Sequence, residues 1–290
     1  MNDKTPTEEP ANPDPSPALQ HARTLTAAGL ASDEELDVAA VALALAALDY
    51  PDRDLTVYKS HLAELCAAVA AQCQDAGHID ARADALAQVI SGQFGYAGDQ
   101  ASYNDMQNAN LMQVIDRRKG LPVALGLLYI IAARAQGWAC AGLNFPGHFL
   151  IRLELGSTRR ILNPFNGGVK MEIPQLRSLL KGMAGENAEL LPEYYQPVSH
   201  RDVLLRLLNN IKGRAFQSND FTRACDILER MRMISPASPH LGYEHGMVHA
   251  RLGNVPDALA AMRICIEHAD DPKLRQLAEQ AVQQLRLKMN

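Results

Sequence analysis

Apolar residues recur along this chain at spacings of three and four much more than in alternation, so helices dominate the expected structure. Val38, Val41, Leu45 and Leu48 share one face of a helix predicted over 36–48. It would open on a capping box, Ser32 with Glu35, and stop before Tyr50-Pro51. Leu55, Tyr58, Leu62, Leu65 and Val69 mark a second helix over 54–74, and a third is expected over 80–90. The glycine-rich stretch 92–99 lacks the spacing and the following basic residue of a P-loop and reads as a turn. A short helix over 108–116 leads to the longest apolar run, 123–135, entered at Pro122 and stopped by Gly137. Proline fits the first helical position because the amide it lacks would be unpaired there anyway. At about 11–14 residues the run is too short for a bilayer and fits a core helix. Two β-like runs follow, 145–152 and 161–168, joined by the connection 153–158. A turn centred between Leu155 and Gly156 would make His148 and Asn163 direct cross-strand neighbours on one face.

Beyond residue 200 the pattern repeats. A shift of 34 residues superposes Asp220 on Asn254, Phe221 on Val255, Ala224 on Ala258 and Leu228 on Met262. Helix–turn–helix units of that period, with a small residue at 224 and 258 and prolines at Pro236 and Pro272, carry the tetratricopeptide signature. Flanking helices over 201–217 and 273–287 would cap the stack, since such repeats cannot bury their faces alone. Residues 1–17 hold five prolines among polar and acidic residues, and 1–27 is expected to be a disordered tail. The chain thus divides into a tail (1–27), a mixed domain (28–196) and an all-helical repeat domain (197–290).

Composition refines this picture. The 290 residues are enough for two domains, each able to bury its own core, although two repeats are few and are expected to lean on the first domain. With aromatics at 5% and a single tryptophan, Trp138, close-packed Ala and Leu helices are favoured over a β-sandwich. A formal net charge of -5 gives no electrostatic reason to expect nucleic acid. Charge is uneven: residues 1–200 carry 15 basic and 23 acidic side chains and 201–290 carry 13 and 10, a bias that would help the two parts dock. Cys66, Cys73, Cys140, Cys225 and Cys265 form no Cys-x-x-Cys pair, which points to buried reduced thiols in a cytoplasmic protein. No basic stretch followed by an apolar one opens the chain, so neither a secretory signal nor a membrane anchor is expected.

A buried helix followed by a strand bearing His148 and a strand bearing Asn163 is the layout of a papain-like or transglutaminase-like thiol enzyme. In such sites the cysteine sits at the helix N-terminus, where the dipole favours the thiolate. Here Pro122 occupies that place. The resemblance is more specific than a layout. Tyr103-Asn104-Asp105-Met106-Gln107-Asn108-Ala109-Asn110-Leu111, the run from Val114 through Arg117-Arg118-Lys119-Gly120-Leu121-Pro122 to Leu125, Pro146-Gly147-His148-Phe149-Leu150 and Asn163-Pro164-Phe165-Asn166-Gly167-Gly168 together resemble the bacterial SirB-type (invasion-regulator) family. Leu48-Asp49-Tyr50-Pro51-Asp52 and Phe94-Gly95-Tyr96 match it as well. The resemblance implies an α+β, mostly helical fold: a transglutaminase-like domain with a small antiparallel sheet, then tetratricopeptide repeats. It also implies that His148 stands at the family's catalytic-type histidine and Asn163 where active members carry aspartate.

A triad needs a nucleophile, a base and an orienter in mutual reach. Pro122 supplies no nucleophile, so the remnant positions Pro122, His148 and Asn163 predict a non-catalytic cleft. Asparagine can still orient an imidazole. Cys140, the thiol nearest in sequence, lies on a strand-like segment beyond Gly137. The candidate binding residues are Arg117, Arg118, His148, Asn163 and Asn166, with the Arg117-Arg118-Lys119 cluster expected either in water or donating to Asp105 or Asp116. No metal or cofactor is expected: His245 and His249 share a helix face, but Gly246 stands where a metalloprotease helix needs glutamate. The expected role is regulation or scaffolding through a protein or peptide partner. A cysteine hydrolase or acyltransferase and a small-ligand sensor are the rival readings.

Overall fold

The computed structural model describes residues 16–73 and 75–287, and helix dominates as the spacing predicts, with twelve α-helices among the described residues. The first corrects the expected tail. Pro17–Leu30 (α1) is a helix started by Ser16, whose hydroxyl accepts from the Leu19 amide, with proline at its first position. Leu25 in its middle is fully buried. Prolines bias a chain against helix only in the interior; at Pro17 the ring is compatible with the first turn. The remainder of the expected tail, residues 1–15, lies outside the described residues.

Ser32 and Glu35 do bond reciprocally, the Glu35 carboxylate accepting from the Ser32 amide and hydroxyl and the Ser32 hydroxyl from the Glu35 amide. They close a turn, however, and the helix begins later, at Val38–Ala47 (α2), capped by Asp37. Eight of the ten α2 residues are buried. Leu55–Gln72 (α3) turns Tyr58, Leu62, Leu65 and Val69 inward. Ile79–Ala87 (α4) runs on into a wider π turn over 88–93. Asn110 caps Leu111–Arg117 (α5), accepting from the Met112 and Gln113 amides. Pro122–Ala135 (α6) buries every residue from Pro122 to Ala133, so it is the central helix the apolar run predicted.

One strand pair and one sheet complete this part. Ala97–Gly98 (β1) pairs in parallel with Lys119–Gly120 (β2). Ala139–Leu143 (β3), Ile151–Leu155 (β4), Thr158–Asn163 (β5), Val169–Lys170 (β6) and Pro197–Val198 (β7) form an antiparallel sheet in the order β6-β5-β4-β3-β7. The central hairpin pairs Leu155 with Thr158 and Ile151 with Leu162, so its turn is Gly156-Ser157 and not the point between Leu155 and Gly156. Gly156 takes φ +58° at the first turn position, the Gly-first pattern of a tight two-residue hairpin. Phe149, just before β4, is wedged between α6 and β3: a Cβ at Gly126 would lie 2.3 Å from its ring and one at Gly142 2.7 Å. Ile173–Ala184 (α7) covers a satellite cluster around Leu143, Phe145 and Leu150.

Five helices follow: His200–Gln217 (α8), Phe221–Ile234 (α9), Pro239–Arg251 (α10), Val255–His268 (α11) and Pro272–Leu287 (α12). The expected period holds in detail: Asn219 and Gly253 both take positive φ, Asp220 and Asn254 are the N-cap residues, and Ala224 and Ala258 are fully buried. The C-terminal helices lean on the first part of the chain. One apolar cluster runs from Leu25 through α6 to Val248, joining α1, α2 and the sheet to α8, α9 and α10. The opposite charge bias is realised at this junction. Asp33 accepts from the His200 and Arg201 amides at the N-terminus of α8, and Asp49 binds Arg223 and Arg230 of α9.

Candidate functional site

His148 sits in the irregular segment between β3 and β4, because the strand expected over 145–152 starts only at Ile151. Asn163 is the last residue of β5, where the chain turns into a short 3-10 helix at Pro164–Asn166. Both are buried, and His148 Nε2 lies 3.0 Å from Asn163 Oδ1. The two meet beyond the end of the ladder, diagonal to its register. The register differs by two residues from the expected one, which keeps side chains on the same face, whereas a difference of one would have parted them. Phe165 sets its ring edge against the imidazole at 6.0 Å and 89°.

With Oδ1 accepting, Nε2 carries the proton and Nδ1 is left as the acceptor, the state a general base requires. Burial lowers the pKa of His148; its hydrogen bond to Asn163 raises it and the Arg206 charge lowers it, with a net downward result. The imidazole is therefore neutral at pH 7. Its partner across the gap is Pro122. Tyr103, Leu121, Pro122, Val123, Arg206 and Asn210 close around His148 and leave a space of about 50 Å³. No side chain caps the α6 N-terminus there.

Arg206 of α8 closes the mouth. Its guanidinium donates to the carbonyls of Phe145 (3.1 Å) and His148 (2.7 Å), reaches that of Leu143 (3.4 Å), and lies 5.4 Å from the centre of the Phe149 ring. Helix α8 is thus tied by Arg206 to the segment that carries His148. Nothing in the sequence marked Arg206: it is one of several arginines on an amphipathic helix, and only the packing of α8 over the segment 143–149 gives it this place.

Arg117 and Arg118 are not at this space. Arg117 donates to Asp99 Oδ2 (2.9 Å) and Asn108 Oδ1 (2.9 Å), not to Asp105 or Asp116. The Asp99 carboxyl, 2% exposed, is held far below the usual range by hydrogen bonds from Ser102 first, then Asn108 and Arg117. Asp116 is taken by Arg53 at 2.7 Å. Arg118 takes the left-handed conformation that ends α5, and its guanidinium lies against Tyr96 and His61. Asn166 is exposed at the tip of its turn. The structure brings Pro122, His148 and Asn163 together and leaves Arg117, Arg118 and Asn166 outside. Cys140, on β3 opposite Leu153, is buried, and burial pushes its thiol up to about 12. Among the described residues no helix is long and apolar enough to cross a membrane.

This geometry agrees with what the chain is similar to. The family profile described as the transglutaminase-like superfamily matches residues 56–209, and a tetratricopeptide-repeat profile matches 211–283. A UPF0162 protein of Xylella fastidiosa (strain Temecula1) is 29% identical over 230 residues, covering 78% of this chain and 82% of the relative. One from Vibrio cholerae is 31% identical over 202 residues, covering 69% and 74%. Protein SirB1 of Salmonella typhimurium is 24% identical over 195 residues, covering 67% and 72%.

Proposed function

The chain belongs to the transglutaminase-like superfamily, and we propose that it is a regulatory or scaffolding protein that works by binding a protein partner, with its enzyme-like cleft retained as a structural frame. The observation that supports this reading is that Pro122 lines the same space as His148, which is bonded to Asn163. On this reading His148 and Asn163 are the remnant base and orienter, and proline, at the N-terminus of the buried helix, has no group to deprotonate. A space of about 50 Å³ suits one or two waters and is well below the roughly 300–1,000 Å³ of small-molecule sites, which disfavours the sensor reading. The hydrolase or acyltransferase reading needs a thiol at His148, and Cys140 is placed in the sheet instead. Five free thiols support a reducing compartment, the cytoplasm.

The partner surface we assign is the repeat region, where Met247 on α10 and Leu277 on α12 are 46% and 49% exposed. Removing the repeats is not a clean test, since they share the core. The test is capture by the full chain, in lysate of its own source, against a Met247→Glu, Leu277→Glu variant with unchanged circular dichroism and Tm. Specific partners lost from the variant are expected. Undiminished capture contradicts the assignment to the repeats.

A further inference from the structure

His245 and His249 occupy successive turns of α10, and a spacing of four puts them on one face. Sequence spacing alone gives two ligands and stops there. The four-residue loop 235–238 folds α9 back along α10 and brings in a third. Cys225 Sγ lies 3.4 Å from His245 Nε2 and 3.6 Å from His249 Nε2. One candidate ligand atom from each of the three lies within 4.8 Å of the others.

From this convergence we propose that Cys225, His245 and His249 form a transition-metal site, a thiolate with two imidazoles, taking Zn(II) in a tetrahedral set whose fourth position is open to water. The distances carry the argument. Zinc bonds of about 2.3 Å to sulfur and 2.0–2.1 Å to nitrogen at tetrahedral angles set sulfur and nitrogen ligands about 3.5 Å apart. Both sulfur–nitrogen separations fall within about 0.1 Å of that, so the cysteine needs no rearrangement; the two rings, with centroids 4.3 Å apart, must turn to bring their ligand nitrogens to the roughly 3.3 Å that a tetrahedral set requires. His245 is buried while Cys225 and His249 are half-buried, which gives a fixed wall on one side and an entry path on the other. Asp226, Glu229 and Asp257 set negative charge around the sulfur, favouring a cation.

One group opposes the metal. Arg232 donates to His245 Nδ1 at 2.8 Å, so Nδ1 is the acceptor and the proton sits on Nε2, toward the sulfur. Zinc at Nε2 requires that proton on Nδ1 and the guanidinium turned away. The thiol proton leaves to solvent, so binding releases one proton per ion; no oxidation state changes. Arg232 is thus a positioning residue that weakens the site, and its replacement by glutamine, whose carbonyl can accept from Nδ1–H, strengthens it.

The test titrates the untagged full chain with Co(II) as a spectroscopic probe and Zn(II) in competition. One equivalent bound is expected, with a thiolate-to-cobalt charge-transfer band and tetrahedral d–d bands. Cys225→Ser abolishes the charge-transfer band and His249→Ala weakens binding by more than tenfold, while Arg232→Gln tightens it by about tenfold. Circular dichroism confirms that each variant is folded. A folded wild type with no stoichiometric Co(II) or Zn(II) binding overturns the proposal, since the cluster is then a hydrogen-bonded S–H and imidazole set. So does binding that Cys225→Ser leaves unchanged, which puts the metal elsewhere.

Discussion

Replacing Asp49 tests whether the two parts of the chain are one folding unit. Asp49 follows α2, and its two carboxylate oxygens accept separately, Oδ2 from Arg223 and Oδ1 from Arg230, each at 2.7 Å. Side-chain exposures of 18% for Asp49, 25% for Arg223 and 11% for Arg230 leave little water to take over. Charge-assisted bonds contribute about 1.5–3 kcal/mol each, and removing one member of a buried pair costs about 3–5 kcal/mol. Asp49→Ala strands both guanidiniums and is expected to cost about 3–4 kcal/mol, the lower part of that range because the site is not fully dry. Asp49→Asn keeps one acceptor and is expected to cost about 2 kcal/mol. Urea unfolding followed by far-UV circular dichroism should give one transition for wild type and both variants, with a lowered midpoint and an unchanged slope. Burial alone would raise the Asp49 pKa, but the hydrogen bonds and charges of Arg223 and Arg230 outweigh it and leave it below 3.8. The stabilisation is therefore fully present above the unfolded value of 3.8 and is lost as pH falls through the lower folded value, so wild type and Asp49→Asn converge only in acid. A loss under about 1 kcal/mol, or two separable transitions of which only the later one moves, would refute a shared core.

Further outcomes follow from the central helix and the cleft. Leu128 is fully buried in α6, and Leu128→Ala removes about 2.4 kcal/mol of transfer energy and adds a cavity term, for about 3–4 kcal/mol in the same assay; under about 1 kcal/mol would place the residue at the surface. The His148 pKa, followed by NMR of its ring protons, should rise in Arg206→Ala, which removes a lowering charge, and fall in Asn163→Ala, which removes a raising hydrogen bond; the opposite signs would mean that neither group faces the ring.

How much of this was legible in the sequence depended on whether the signal was local. The α6 helix was, because its apolar run buries all round and Pro122 and Gly137 punctuate it. The repeats were, because Asn219 and Gly253, Asp220 and Asn254, and Ala224 and Ala258 repeat at one spacing that any stacked unit must keep. The hairpin register was missed by two residues, although Gly156-Ser157 is itself a two-residue turn signal. Helix α1 is not legible because proline density dominates the segment, and its burial comes from packing on α2 and on the remote α9. From the sequence Arg117 is expected either in water or donating to Asp105 or Asp116, whereas the parallel pairing of β1 with β2 brings Asp99 beside it. The same limit applied to Arg206 and Cys225: each acts across a helix–helix or helix–loop contact that no spacing rule encodes.

The central claim, a thiol-enzyme frame without its nucleophile, is tested most directly by the reactivity of the native cysteines. Cys66, Cys73, Cys140, Cys225 and Cys265 all have pKa values raised, in each case by burial first. Alkylation scales with thiolate, so iodoacetamide at pH 7, followed by intact mass and peptide mapping on chelator-treated protein, should label every cysteine more slowly than a free model thiol. It should show no pH profile midpoint below the ordinary thiol value for any of them. One cysteine that labels faster than the model thiol, with a depressed midpoint and a rate that falls in His148→Ala, would contradict the account and restore the enzyme reading.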